Sequence, residues 1–144
     1  MPHWKDAIKR LEAVKQKIPT ITGNEMVNFA LDNIQRESWE GKKWAPRKPG
    51  TKRNQGRKLL VDTGKGRRSI HVSKSSLTRT EIEAVDYMEA HNEGVHKTVN
   101  ARSRKGKEYT IKMNLPQRQW TGKSSEQTNR IETVIKQEIV KALT

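Results

Sequence analysis

Apolar residues are few in this chain and unevenly placed. Ten Ile, nine Val, seven Leu and one Phe make 27 of 144 residues. That share lies near the level at which a chain stops burying enough surface to offset its ordering entropy. The apolar residues present are nevertheless patterned at both ends, which argues against global disorder. Ile8, Leu11, Val14 and Ile18 recur at spacings of three and four, one stripe of a helix over residues 5–18. Pro19 lacks an amide donor and predicts the end of that helix. Thr22 and Glu25 have capping-box spacing and open a second helix over about 24–37. Its face is Met26, Val27, Ala30, Leu31 and Ile34, with Phe29 beside it. The two predict an N-terminal helical hairpin. At the other end Ser124 and Gln127 repeat the capping-box spacing ahead of Ile131, Val134, Ile135, Ile139, Val140 and Leu143, an amphipathic helix over about 125–143.

Between the helices the period falls to two. Ile70 and Val72 alternate with polar neighbours, Ser75-Ser76 marks a turn, and residues 79–85 alternate again through Ile82, which predicts an antiparallel pair. Residues 87–94 read as a helical turn, and Tyr109–Met113 as a further strand. Leu59, Leu60 and Val61 re-enter the fold before an Asp62-Thr63-Gly64 turn. The expected fold is α+β in a single domain over 1–144: a helical hairpin, a small antiparallel sheet of about 3–5 strands and a C-terminal amphipathic helix. Two segments, about 40–58 and 95–107, are basic and poor in apolar residues and read as long mobile loops. A core this small leaves a lone subunit marginal, and burial against neighbouring copies is one remedy.

The net charge is +14 and the pI about 10.2, which implies an anionic partner: nucleic acid, a membrane surface or an acidic protein face. Eleven Lys or Arg residues and one acid lie between Lys42 and Arg68. Lys42, Lys43, Arg47, Lys48, Lys52, Arg53, Arg57 and Lys58, with Arg102, Arg104 and Lys105, are the candidate partner-contacting or DNA-contacting residues. A sequence-independent phosphate surface and a loop that orders against acidic protein both fit them. Trp39 and Trp44 lie in the first tract; anchoring it to the core is favoured over stacking on bases.

Catalytic constellations are missing from the sequence. With no cysteine there is no disulfide framework, thiolate zinc site or cysteine nucleophile. His91 and His96 bracket Glu93 at a spacing of five, with no third ligand evident. There is no phosphate-binding loop, nucleophile elbow or dinucleotide fingerprint. The expectation is a protein without catalysis, cofactor or metal. Neither a signal peptide nor a membrane-spanning run is recognisable.

Four segments, in order, resemble the virion-morphogenesis or tail-completion family of Mu-like tailed phages and prophages. They are Trp44-Ala45-Pro46; Leu60 to Ile70, with Asp62, Thr63, Gly64 and Ser69; Tyr87 to Gly94, with His91; and Pro116 to Gly122, with Arg118 and Trp120. Gly66 stands where the family usually carries a bulky apolar residue, and Trp120 where it often carries phenylalanine. The resemblance covers roughly residues 25–143. It implies an antiparallel sheet packed by helices and a structural role at the head–tail junction, as a tail-completion or neck protein that forms a homo-oligomeric ring. It also implies other phage head or tail proteins as partners, assembly in the host cytoplasm and a final place in the virion. A sequence-independent nucleic-acid-binding protein of a mobile element is the alternative. A small nuclease using His91 and Glu93 ranks third.

Overall fold

The computed structural model of the chain describes residues 3–47, 59–60 and 64–144. Its N-terminus is not a hairpin. A single helix, α1, runs Trp4–Arg36 with Pro19 inside it. At 1.5 Å per residue, its 33 residues span about 50 Å. A proline in a helix interior costs ~3 kcal/mol, so packing must hold the turns on both sides. The C-terminal helix supplies it. This helix, α4, spans Ser125–Leu143 and runs antiparallel to α1. Arg10 donates to the Ala142 carbonyl (3.5 Å), and Lys17 meets Glu138 (3.5 Å). Further along, Arg130 bridges Glu25 (3.4 Å) and Asp32 (2.8 Å), and Arg36 lies 3.6 Å from Glu126. The Thr22–Glu25 pair therefore sits mid-helix and caps nothing. Gly23 is there for proximity: a Cβ on it would lie 2.8 Å from the Val72 side chain.

Glu37 ends α1 in the left-handed conformation (φ 53°). A tight hairpin follows, β1 (Ser38–Trp39) and β2 (Lys42–Lys43), turned by Glu40 and Gly41, both at positive φ as such turns require. A short helix, α2, covers Lys65–Ser69. Next come β3 (His71–Ser75) and β4 (Thr80–Glu83), paired antiparallel, then α3 over Asp86–Glu93. The segment read as a second basic loop is mostly strand. β5 (Val95–Arg102) pairs along its whole length with β6 (Glu108–Leu115), and only Ser103–Lys107 turns. Among the described residues, the strands form three separate two-stranded units rather than one sheet.

The core lies between α1, the β3–β4 pair and α3. It contains Ala30, Ile34, Trp44, Leu59, Ile70, Met88 and Trp120. Phe29 is buried beside it, edge-on to Trp39 at 5.7 Å and capped by the Arg130 guanidinium. No residue of α4 is fully buried. Val140 and Leu143, part of its apolar stripe, are 61% and 52% exposed.

Candidate functional site

Three of the four motif segments meet at one junction, on the end of α1 and beside α3. Its centre is the extended segment 116–121. Trp120 is 4% exposed; its indole N–H donates to the Met88 carbonyl (2.8 Å). The Trp120 carbonyl accepts from buried Asn33 of α1 (3.2 Å). Asn92 of α3 holds the segment from the other side, its Oδ1 accepting the amides of Trp120 (2.9 Å) and Thr121 (3.1 Å). Buried Arg118 reaches the Trp44–Pro46 strip: Nε donates to the Ala45 carbonyl (3.1 Å) and Nη2 to that of Pro46 (3.2 Å). In return the Trp44 indole donates to the Gln119 carbonyl (2.9 Å). Trp44, itself buried, thus ties the end of β2 to the core. Buried backbone carbonyls need partners, and this junction satisfies several with side chains drawn from distant parts of the chain.

His91 and Gly94 belong to the same knot. The His91 carbonyl accepts the Arg118 amide (2.8 Å), while its Nδ1 is buried without a hydrogen-bond partner among the described residues. Burial, and after it the Arg118 guanidinium, hold the imidazole below its ordinary pKa. Arg118 is itself lowered by burial and then by Arg47, with Glu37 opposing. Gly94 adopts φ 77°, ψ 157°, a conformation essentially restricted to glycine. A Cβ there would lie 3.0 Å from the Gln117 amide nitrogen.

The Leu60–Ile70 motif contributes at the core edge. Ile70 is buried, Leu60 is half-buried, and Gly64 precedes α2. Ser69 Oγ donates to the Gly66 carbonyl (2.6 Å) and accepts the Val85 amide (3.1 Å). Asp62 and Thr63 lie outside the described residues. Pro116 is half-buried, Tyr87 is 47% exposed and Gly122 is exposed. Asn33, Asn92 and Glu37, whose carboxylate accepts the Leu59 amide (2.9 Å), carry much of the bonding, yet no spacing rule marks them.

The basic candidates do not join this knot as a group. Lys42 and Lys43 are exposed on β2, and Arg47 is half-buried next to Arg118. Arg102 pairs with Glu108 (2.7 Å), whereas Arg104 and Lys105 are exposed in the β5–β6 turn. Lys48, Lys52, Arg53, Arg57 and Lys58 lie outside the described residues. Among the described residues no three His, Asp or Glu side chains converge as metal ligands, and no helix is long and apolar enough to cross a membrane.

The molecule also carries an uncovered apolar face. Paired register puts Val95, Val99 and Ala101 of β5 on the same side as Leu115, Ile111 and Tyr109 of β6, with Lys97 opposite Met113. Tyr109, Ile111 and Met113 are 46%, 43% and 43% exposed. The hairpin packs on itself and makes no extended contact with another described element.

No curated protein and no solved structure gives a significant match to the chain. The model of the phage virion morphogenesis family matches residues 4–140, from the first turn of α1 to the last turns of α4 and across the whole junction. On that near-complete coverage, the chain belongs to the phage virion morphogenesis family.

Proposed function

We propose that this protein is a non-enzymatic structural component of the head–tail junction, a tail-completion or neck protein that works by assembling into a homo-oligomeric ring with other phage head or tail proteins. The observation that carries the reading is the β5–β6 hairpin. A two-stranded hairpin alone is marginal in water, and this one leaves a row of apolar side chains on β6 uncovered. Exposed Trp4, Ile8, Val140 and Leu143 add a second apolar area where the start of α1 meets the end of α4. Assembly in a ring would cover such surfaces. The side chains of Asn33, Trp44, Asn92, Arg118 and Trp120 bond backbone carbonyls and amides across the junction, which suits a rigid mount for the hairpin. In this reading the protein assembles in the host cytoplasm and stays in the virion. Exposed Lys42 and Lys43 suit passing DNA or an acidic partner equally.

The test is deletion of the gene from its phage or prophage. The expected lysate holds heads and tails that fail to join, and supplying the protein in trans restores infectious particles. Normal yields of intact virions without the gene would refute the role.

A further inference from the structure

In a chain of net charge +14, residues 80–94 carry Glu81, Glu83, Asp86, Glu89 and Glu93 and no Lys or Arg. Glu81 is paired with Arg79. The other four are exposed and make no ion pair with a described residue. Glu83, Glu89 and Glu93 line a cleft of about 310 Å³ together with Ile82, Ala84 and Trp120. The opposite charge stands at the hairpin tip. There Arg104, Lys105 and Lys107 are exposed and likewise make no ion pair with a described residue, next to the uncovered side chains of β6.

These two surfaces cannot meet within one copy. The hairpin springs from Gly94 at the end of α3, beside the cleft. Its eight-residue strands carry the tip about 23 Å away from that base, at 3.2–3.4 Å per residue. Patches of opposite charge at separate places on a subunit make a head-to-tail contact, which closes into a ring when the rotation allows. For a strongly basic protein, such pairing also offsets the repulsion between copies.

We propose that the basic tip of the β5–β6 hairpin docks into the acidic cleft beside α3 of the next copy, bringing Tyr109, Ile111 and Met113 against that neighbour. This contact rests on the ring-assembly reading and specifies its interface.

Charge reversal tests it. The tip variant is Arg104→Glu, Lys105→Glu, Lys107→Glu; the cleft variant is Glu83→Lys, Glu89→Lys, Glu93→Lys. Wild type is expected to sediment as an oligomer at low salt and to loosen as salt rises. Each variant alone is expected to associate at least ~10-fold more weakly, a loss of about 1.4 kcal/mol. Their equimolar mixture is expected to reassociate, because acidic tips then meet basic clefts and basic tips meet acidic ones. A mixture of folded variants that stays dissociated, or variants that associate like wild type, overturns the contact. Should a triple variant fail to fold by circular dichroism, Lys105→Cys mixed with Glu89→Cys replaces it. The native chain has no cysteine, so under a mild thiol oxidant a mixed disulfide joining the two variants, in excess of either variant joined to itself, supports the contact and its absence overturns it. A wild-type oligomer indifferent to these changes overturns this interface and leaves ring assembly standing. A wild type that never associates overturns both.

Discussion

Trp120 is where the motif segments are tied to the core, and its replacement gives a graded test. The side chain is 4% exposed, and its indole N–H is bonded to the Met88 carbonyl at 2.8 Å. Trp120→Phe keeps a ring but removes that donor, leaving a carbonyl in a buried site with one partner fewer. The lost hydrogen bond is worth about 1 kcal/mol, and the smaller ring adds roughly another. Trp120→Ala empties the site, at about 3–5 kcal/mol. With ~2–4 °C per kcal/mol for a chain near this size, melting should fall by about 4–8 °C for Phe and by about 6–20 °C for Ala. The assay is thermal and denaturant unfolding followed by far-ultraviolet circular dichroism, at one fixed protein concentration because assembly adds stability by mass action. An Ala variant within about 1 kcal/mol of wild type would refute the placement of Trp120 in the core.

Three further substitutions probe other parts of the structure. Pro19→Ala should stabilise the protein by up to ~3 kcal/mol, because α1 is continuous through that position; no gain in denaturant unfolding would indicate a real break there. Gly94→Ala should cost about 2–4 kcal/mol, since it forces a glycine-only conformation and presses a methyl group toward the Gln117 backbone; a variant melting like wild type would show that the turn relaxes freely. His91 is held below its ordinary pKa of 6.5, so the unfolded chain takes up that proton more readily than the folded one. Its contribution is complete above about pH 6.5 and is lost as pH falls through the folded value. His91→Gln should therefore flatten the fall in stability with acid, and parallel pH profiles would contradict it.

The elements visible in the sequence were those with an uninterrupted period. α4 occupies the predicted 125–143, with Ser124 Oγ accepting the Gln127 amide as the capping pattern implies. The β3–β4 pair and α3 also lie where alternation and spacing placed them. Pro19 misled because local propensity says nothing of the long partner helix that holds both sides of it. β5 was hidden because Lys97 breaks the alternation of Val95, Val99 and Ala101, and the segment reads as charge; only pairing with β6 restores the face. The motifs could be read in order along the chain, but their convergence could not. Asn33 and Asn92 act through tertiary hydrogen bonds, which leave no periodic trace. The stripe on α4 was legible, its incomplete burial was not: a hydrophobic pattern does not say whether the cover comes from the same copy or another.

Amide hydrogen exchange across β5 and β6, compared between dilute and concentrated protein, tests most directly whether assembly completes the burial that one copy leaves open. Slow exchange along these strands only at concentrations where copies associate is the predicted result. Equally strong protection in dilute, monomeric protein would contradict it, because the hairpin would then be stable without a neighbour.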